Sequence, residues 1–571
     1  MSVRKPKKKK RARRIKRKPP GRRDVSREQL QAILERARPV MSAQDVDTLS
    51  AAVDTLAWLT EELEDKATSL AKLRKLLFGS SSEKTADVLA NVRGAERSDG
   101  QGASAGASAA EVADGAGGNA EHRDDQSEKN KRPGHGRNGA DTYHGAERVP
   151  LPHRALKHND PCPKCDKGKL YRKNPSVLIR VKGVAPLNAT RYELERLRCN
   201  LCGAVFVADA PHELGEAKYD ESAAAMIALL RYGCGLPHNR LARLGDDVGV
   251  PMPSATQWDV IENASAAFEP VWTELLRTAA DGDVLHNDDT NAMVLSLAAT
   301  IREEIARGET DRTGIFTSGV VSRTEEREVV LFFTGRKHAG ENLRDVLQQR
   351  SAELGPPVQM CDALSRNSAP GDFETLVANC MAHARRNFVD VVHNFPEPVA
   401  HVLEELRKVF VNEAFTKKQA MSAEQRLRYH QEHSGPVMDA LGEWLTAQLD
   451  ERKVEDNSTL GGAIRYMENH WDELTLFLRV PGAPIDNNLC ERILKRAIVH
   501  RKNSLFYKTE NGARIGDMFM SIIATAERAG ANTFDYLVAI QRNQEHVAQH
   551  PKQWMPWNFV ETLARLKTER A

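Results

Sequence analysis

Leucines recur at every seventh position near the beginning of the chain. The repeat consists of Leu49, Leu56, Leu63, Leu70 and Leu77. A strict seven-residue repeat keeps one apolar seam turned toward a partner helix, whereas it drifts around a single straight helix. The pattern therefore predicts a helical, coiled-coil segment at residues 26–91 and a homo-oligomer that is at least a dimer. An amphipathic helix packed on its own domain is the alternative.

A helical period appears again in residues 484–507. The predicted apolar face consists of Leu489, Cys490, Ile493, Leu494, Ala497 and Ile498. The other face carries Glu491 among basic side chains and two asparagines, Asn487 and Asn488, and Asp486 is a candidate N-cap. A carboxylate among cations and amides suits a metal-dependent enzyme acting on a phosphate backbone. A solvated surface helix with an ion pair between Glu491 and Lys495 is the alternative.

Strand and helix patterns alternate between residues 283 and 382. Apolar runs predict strands in DVLHNDDT, TGIFTSGVVS, EVVLFFTG, VQMCDA and LVANCMAH, and a helix in ENLRDVLQQRS. Residues 384–480 are predicted to be almost wholly helical. Residues 219–280 read as helices joined by a Gly-containing turn, an order similar to a helix-turn-helix. The fold class expected is multidomain α/β and α.

Charge is distributed unevenly along the 571 residues, although the formal net charge is only +3. Lys and Arg dominate the segment from Arg4 to Lys18, and such an arm binds polyanions by releasing counterions. No apolar core of a signal peptide follows the arm and no window approaches about 18 apolar residues, so we expect neither secretion nor a membrane partner. Residues 92–148 are rich in Gly, Ala, Ser and Asp and are predicted to be a flexible linker.

The eight cysteines divide into two sets. Two CxxC pairs are formed by Cys162, Cys165, Cys199 and Cys202. Four thiolates in two tight pairs suit tetrahedral zinc and leave no open coordination position, so this spacing predicts a structural Zn²⁺ ribbon. The scattered set consists of Cys234, Cys361, Cys380 and Cys490, a distribution that suits a reducing compartment better than a disulfide framework.

Three carboxylates lie where strand or helix ends are expected to converge. Asp288 is predicted to close the first strand, Asp362 closes a later strand, and Glu491 lies on the predicted helix. Three clustered carboxylates repel one another unless cations neutralise them, and a pair of Mg²⁺ ions suits oxygen ligands and phosphodiester chemistry. Asp289 is an alternative ligand to Asp288, and each aspartate has the alternative of capping a turn.

The order of these features resembles the TnpC-type transposases of the insertion sequence sixty-six family. The matching segments are KLRKLLFGSSSEK, GHGRNG, CPKC with CNLC, VLHNDDT, CMAHARRNF, PIDNNLCERILKRAIVHRKNSLF and GARIGDMFMSIIATAERAGANTFDYL. The resemblance implies a DDE transposase with a ribonuclease H-like core, whose catalytic acids correspond to Asp288, Asp362 and Glu491. This chain departs from the family pattern at Ala363 and Leu364, where Gly-Tyr is common after the second aspartate.

The resemblance further implies binding of terminal inverted repeats, cleavage of phosphodiesters at the element ends, and joining of the 3′ ends to target DNA. Mg²⁺ or Mn²⁺ would be the catalytic cofactor, accessory proteins of the same element are possible partners, and the location would be cytoplasmic and nucleoid-associated. Candidate phosphate contacts are Arg385, Arg386, Arg492, Lys495, Arg496, Arg501 and Lys502. Cys380 and His383 match a Cys-x-x-His block to which we assign no chemistry. A nuclease without strand transfer and a catalytically dead DNA-binding regulator are the rival functions.

These observations together predict nine consecutive segments. They are a basic arm at 1–25, the leucine-repeat segment at 26–91, the linker at 92–148, the zinc ribbon at 149–212, a helical DNA-binding region at 213–280, the first part of the core at 281–390, an all-helical insertion at 391–480, the second part of the core at 481–545, and a C-terminal tail at 546–571.

Overall fold

The computed structural model describes residues 186–198, 205–209, 217–369 and 374–570, together with a few separate positions before residue 171. The basic arm, the leucine repeat beyond Leu49, the linker and the four cysteines of the predicted zinc ribbon lie outside these residues and stay predictions. Strands β1 (Arg196–Arg198) and β2 (Val205–Val207) pair antiparallel. They lie directly before Cys199 and after Cys202 in the chain.

A mixed five-stranded sheet forms the centre of the described region. Its strands are β3 (Val284–Asn291), β4 (Phe316–Arg323), β5 (Glu328–Gly335), β6 (Val358–Cys361) and β7 (Leu376–Asn379). The order across the sheet is β5-β4-β3-β6-β7, with β3, β4 and β5 antiparallel and β3, β6 and β7 parallel. All five predicted strands are present, but the last is shorter than expected, because β7 ends at Asn379 and a helix begins at Met381. This mixed sheet surrounded by helices is compatible with a DDE transposase core.

Helices precede, connect and follow these strands. Before β3 lie α1 (Glu221–Ala228, extended by a π-helical turn Leu229–Gly233), α2 (His238–Asp247), α3 (Ser254–Ser265) and α4 (Glu269–Ala280). Within the sheet region lie α5 (Leu295–Ala306), α6 (Ala339–Leu347) and α7 (Met381–Val391). The sequence patterns did not predict α5. Pro270 lies in the first turn of α4, where its missing N–H costs nothing.

A bundle of helices follows α7. It comprises α8 (Pro396–Lys418), α9 (Ala423–His433), α10 (Gly435–Asp450), α11 (Thr459–Asn469) and α12 (Trp471–Leu474). Buried residues Val399, Leu403 and Leu406 recur along one face of α8 and supply part of its core. The helical character predicted for residues 384–480 is confirmed.

The last helices return to the sheet. They are α13 (Asn488–Ser504), α14 (Glu510–Arg528), α15 (Thr533–Arg542), α16 (Gln544–Gln549) and α17 (Phe559–Arg570). Trp554, in the segment predicted as a C-terminal tail, is completely buried, and its backbone carbonyl accepts a hydrogen bond of 2.8 Å from the hydroxyl of Tyr536. The chain therefore contributes to the common core almost to its last residue. No helix among the described residues is both long and apolar enough to cross a membrane.

Helix α14 covers the outer edge of β5. Asp517, Ser521 and Thr525 recur every fourth residue on one helical face. Their side-chain oxygens accept hydrogen bonds from the backbone N–H groups of Thr334, Phe332 and Val330, at 2.6, 2.9 and 3.0 Å. An uncovered edge strand presents unpaired backbone groups to other chains. These three side chains therefore satisfy three backbone N–H groups of this edge.

Candidate active site

Asp288 lies inside β3 rather than at its end, because the strand continues to Asn291. This corrects the expected position of the residue in its strand. Its cross-strand partner on β4 is Gly319. A Cβ atom on Gly319 would lie 3.0 Å from Leu494 Cδ2 of α13, so the absence of a side chain there lets the helix approach the sheet closely. Asp288 therefore belongs to the face of the sheet that α13 covers.

Asp362 follows the last residue of β6 directly. Strands β3 and β6 are parallel, and His286 pairs with Met360. Continuing this register by two residues brings Asp362 level with Asp288, one strand away. Neighbouring strands are separated by about 4.8 Å, and residues at the same level point to the same face. The tertiary fold thus brings together two aspartates that are far apart in the chain.

Glu491 lies in the first turn of α13, which packs across β3 and β4. The thiol of the preceding residue, Cys490, contacts the backbone carbonyl of Gly319 at 3.4 Å. The predicted apolar face of the helix is buried at Leu489, Cys490, Leu494 and Ala497. The helix begins at Asn488, with Asn487 as its N-cap residue, and the predicted cap Asp486 accepts a hydrogen bond from the Asn488 N–H at 3.0 Å.

Asp288, Asp362 and Glu491 share one electrostatic environment. Burial, together with the negative charges of Asp362, Asp289 and Glu491, raises the pKa of Asp288 to about 7, although a hydrogen bond from the Asp289 N–H acts in the opposite direction. One oxygen of Glu491, Oε1, is buried and accepts no hydrogen bond within the described part of the chain. Mutually repelling carboxylates with a spare buried oxygen are the donor set that a hard divalent cation fits.

Asp289 points to the opposite face of β3. His338, the N-cap residue of α6, places its Nδ1 2.8 Å from Asp289 Oδ2, and Arg366 lies 4.0 Å from the other oxygen. The side chain of Asp289 is only 4% exposed. Since Asp289 already has these partners on the face away from α13, the geometry favours Asp288 over Asp289 as the acid that meets Asp362 and Glu491.

A buried polar network that the sequence patterns did not reveal supports these acids. Asn487 was expected on the polar face of α13, yet it is completely buried. Its Oδ1 lies 3.1 Å from His286 Nδ1, and its Nδ2 donates to the carbonyl of Asn287 at 3.0 Å. Asn367 donates to Asp362 Oδ1, and its own carbonyl accepts from Asn287 Nδ2 at 2.7 Å. The network orients Asp362 and joins the start of α13 to β3. Polar residues inside apolar strand runs, as in LHND, were the only sequence signal for it.

The Cys-x-x-His block lies beside Glu491. His383 Nε2 is 3.5 Å from Glu491 Oε1. Cys380, the N-cap residue of α7, is completely buried, and its Sγ accepts a hydrogen bond from the Asn487 N–H at 3.2 Å. One ligand atom from each of Cys380, His383 and Glu491 lies within 4.8 Å of the others.

The candidate phosphate contacts occupy different environments. Arg492, Lys495 and Lys502 of α13 are exposed. Arg496 pairs with Glu527, and Arg501 donates to the carbonyl of Asn291.

Two further candidate phosphate contacts lie on α7. Arg385 is only 9% exposed, and Arg386 is half-buried. The exposed cations Arg492, Lys495 and Lys502 are therefore the ones most available to a ligand from solvent.

Comparison with known proteins gives one family match. The sequence model described as "Transposase IS66 family" matches residues 217–515, slightly more than half of the chain. The chain is 25% identical over 409 residues to the uncharacterized protein y4jD of Sinorhizobium fredii, covering 69% of this chain and 77% of that protein. It is 23% identical over 393 residues to y4hP of the same organism, covering 65% and 68%. No solved structure matches.

Proposed function

Because this chain belongs to the IS66 family of transposases, we propose that it is a DDE transposase that cuts and joins DNA at the ends of its own element. It would bind terminal inverted repeats, hydrolyse a phosphodiester at each end, and join the freed 3′ ends to target DNA. The observation that carries this proposal is the convergence of Asp288, Asp362 and Glu491 on the face of the sheet under α13.

We assign the ribonuclease H-like architecture to the five-stranded sheet. In its favour are the strand order, with three antiparallel strands followed by two parallel ones, and the helical bundle inserted between β7 and α13. The insertion separates Asp362 from Glu491 in the sequence while leaving both beside β3. Ala363 and Leu364, which differ from the Gly-Tyr common in the family, lie directly after Asp362. This difference alters the surroundings of that acid rather than its position.

The three acids would hold divalent cations, Mg²⁺ or Mn²⁺. When bound, such a pair supplies an activated oxygen nucleophile and stabilises the leaving oxygen of a phosphodiester. The protein's contribution is to fix the ligands: Asn367 orients Asp362, and the Asn487 network fixes the turn of α13 that carries Glu491. Both hydrolysis and end joining are displacements at phosphorus, so one set of acids serves both.

DNA binding is assigned to several regions. Arg492, Lys495 and Lys502 lie exposed on the helix that carries Glu491 and would contact phosphates near the scissile bond. The basic arm would add affinity that falls with salt, and the zinc ribbon with helices α2 and α3 would recognise the element ends. The leucine repeat would hold two protomers, and thus two ends, together. Accessory proteins of the same element and a nucleoid-associated, cytoplasmic location complete the proposal.

Single substitutions of the acids test this function. Asp288→Asn, Asp362→Asn and Glu491→Gln remove one charge each, and each is expected to lower cleavage of an oligonucleotide carrying an element end by at least 100-fold. Asp289→Asn is the matched control, because it changes the adjacent residue of the same type on the opposite face. Strand-transfer products from pre-cut ends in the unmodified protein would support transposition.

Two outcomes would identify a different function. Hydrolysis without joined products would identify a nuclease. DNA binding with no Mg²⁺-dependent or Mn²⁺-dependent activity in any protein, including the unmodified one, would identify a regulator. Equal activity of the Asp288 and Asp289 variants would refute the assignment of the acids.

A further inference from the structure

Cys380, His383 and Glu491 form a cluster whose chemistry differs from that of the three acids. A thiol, an imidazole and a carboxylate converge within 4.8 Å, and they come from the start of α7 and the first turn of α13. Hard cations such as Mg²⁺ prefer oxygen ligands, whereas zinc and related ions accept sulfur, nitrogen and oxygen together. This set of donors therefore suits a different metal from the one assigned to the acids.

The separation of two of the three ligand atoms matches that of neighbouring ligands on one tetrahedral ion. Zinc lies about 2.0–2.3 Å from nitrogen, oxygen and sulfur ligands, so neighbouring ligand atoms on one ion are separated by about 3.3–3.7 Å. His383 Nε2 and Glu491 Oε1 are 3.5 Å apart. This distance is longer than an ordinary hydrogen bond of about 2.7–3.2 Å. The two atoms thus have the separation of neighbouring ligands on one ion.

The surroundings of the sulfur favour a bound thiolate. The Asn487 N–H donates to Cys380 Sγ, and the backbone amides of Ala382 and His383 at the start of α7 also stabilise its negative form. Helix N-termini lower the cost of a thiolate in this way. Burial nevertheless raises the pKa of the Cys380 thiol to about 11. An arriving ion would therefore displace the thiol proton to solvent and take its place on the sulfur.

Glu491 Oε1, one of the proposed ligand atoms, is buried and has no hydrogen-bond partner among the described residues. An unsatisfied buried polar atom destabilises the fold, and a bound ion would satisfy it. The side chains of His383 and Glu491 are 25% and 28% exposed, so an ion has access from solvent and a water can occupy a fourth position.

We propose that Cys380, His383 and Glu491 bind a divalent transition metal of the zinc class, and that an ion there withdraws Glu491 from DNA cleavage. The first part stands on the cluster alone. The second part rests on the proposed function, because it requires Glu491 to serve the catalytic cations. Zinc bound to Glu491 would neutralise part of the charge of this carboxylate and would place a second dication beside the catalytic ions, so zinc would act as an inhibitor that competes with Mg²⁺.

Metal binding by the full chain tests the first part. The protein is dialysed into metal-free buffer without chelator, so that tightly held zinc of the predicted ribbon is retained, and then titrated with Zn²⁺ or Co²⁺. We expect each chain to bind one additional equivalent of metal ion, with a sulfur-to-cobalt charge-transfer band when Co²⁺ is used. Cys380→Ser should abolish the band, and Cys380→Ser and His383→Ala should each weaken the additional equivalent at least 100-fold.

Three control variants make the result specific. Cys234→Ser changes an exposed cysteine outside the cluster and should leave the additional equivalent unchanged. Asp288→Asn and Asp362→Asn should also retain it, which separates this site from the failure or success of the proposed catalytic acids.

Glu491→Gln keeps the shape of the side chain and should weaken binding about tenfold, which guards against a folding defect in the cysteine variant.

Two results would overturn the proposal. The site is refuted if the unmodified protein takes up no additional equivalent, or if Cys380→Ser and His383→Ala bind it as tightly as the unmodified protein does. For the second part, Zn²⁺ should inhibit cleavage at the concentration at which it binds, and added Mg²⁺ should relieve the inhibition. Inhibition that is unaffected by Mg²⁺ would show that the two ions do not compete for Glu491.

Discussion

Replacing Asp288 with asparagine is expected to stabilise the folded protein when divalent cations are absent. The asparagine keeps the size of the side chain and an oxygen that can accept from the Asp289 N–H, a bond of 2.8 Å. It removes a negative charge that burial and the neighbouring carboxylates Asp362, Asp289 and Glu491 disfavour. Active-site groups commonly carry such a cost, because their arrangement serves a ligand rather than the unliganded fold.

The magnitude follows from the pKa of Asp288. Burial and the nearby charges raise it from 3.8 to about 7. One pKa unit corresponds to about 1.4 kcal/mol, so the complete shift amounts to about 4 kcal/mol. Solvent screens part of this energy at a side chain that is not fully buried, and we expect about 2–4 kcal/mol at pH 8.

The sign of the pH dependence is fixed by the direction of the shift. An acid with a raised pKa in the folded state holds its proton there at pH values at which the unfolded chain has lost it. The contribution of Asp288 to the free energy of unfolding therefore falls between about pH 4 and pH 7 and is level above that range. The carboxamide does not titrate. The advantage of Asp288→Asn should grow across this window and then remain constant.

Unfolding measurements at pH 5 and pH 8 in metal-free buffer test this expectation, with Asp289→Asn as the control. The control should lower stability, because it removes a carboxylate that contacts His338 and Arg366. Added Mg²⁺ should stabilise the unmodified protein more than Asp288→Asn, since only the folded site binds the ion. The reasoning is refuted if Asp288→Asn is less stable than the unmodified protein at pH 8 without cations, or if its effect is the same at both pH values.

Three further substitutions test the supporting structure. Gly319→Val is expected to lower the free energy of unfolding by about 1–3 kcal/mol and to lower DNA cleavage, because even its Cβ would contact Leu494 too closely and displace α13. Cleavage at the rate of the unmodified protein would contradict this. Burial opposes ionisation of Glu413 in α8, but hydrogen bonds from His430 and Arg426 hold its pKa below the usual range. Glu413→Gln should therefore lower the free energy of urea unfolding at pH 7 by about 3–5 kcal/mol. The difference should shrink below about pH 4.5, because a carboxylate with a lowered pKa gives less stability as the pH falls. Equal stability of the two proteins at pH 7 would show that these hydrogen bonds contribute nothing. Asp517→Ala should cost about 1–3 kcal/mol by leaving the Thr334 N–H without its acceptor, whereas Asp517→Asn should cost less; equal losses in thermal unfolding would refute the edge-covering role.

Much of the local structure was determined by patterns that neighbouring residues establish. Alternating and continuous apolar runs located all five strands of the central sheet, and helical spacing located the buried face of α13. The segment with α5 escaped prediction, since its apolar residues are not confined to one face: Leu297 and Ile301 are buried, whereas Leu295 and Ile305 are exposed. Pro270 marked a helix start that the apolar pattern alone did not show.

The candidate site depended on contacts that no local pattern encodes. The sequence identified Asp288, Asp362 and Glu491 as acids of interest. Only the parallel pairing of β3 with β6 and the passage of α13 over Gly319 place them together. The pairing of Asp288 with Gly319 assigns Asp288 to the face under α13, and Asp289 lies on the other face beside His338. The sequence could not decide which of these two adjacent aspartates meets the other acids.

The residues around the acids were decided entirely by the tertiary structure. The sequence pattern predicted that Asn487 faces solvent, but it is buried where α13 meets β3. Cys380 and His383 read as a block without chemistry, and they gain a partner in Glu491 only because α7 and α13 begin beside each other. The sequence by itself determined which segments form helices and strands, since periodicity acts over a few residues. The fold decided which polar groups meet, because that depends on the packing of segments that lie far apart in the sequence.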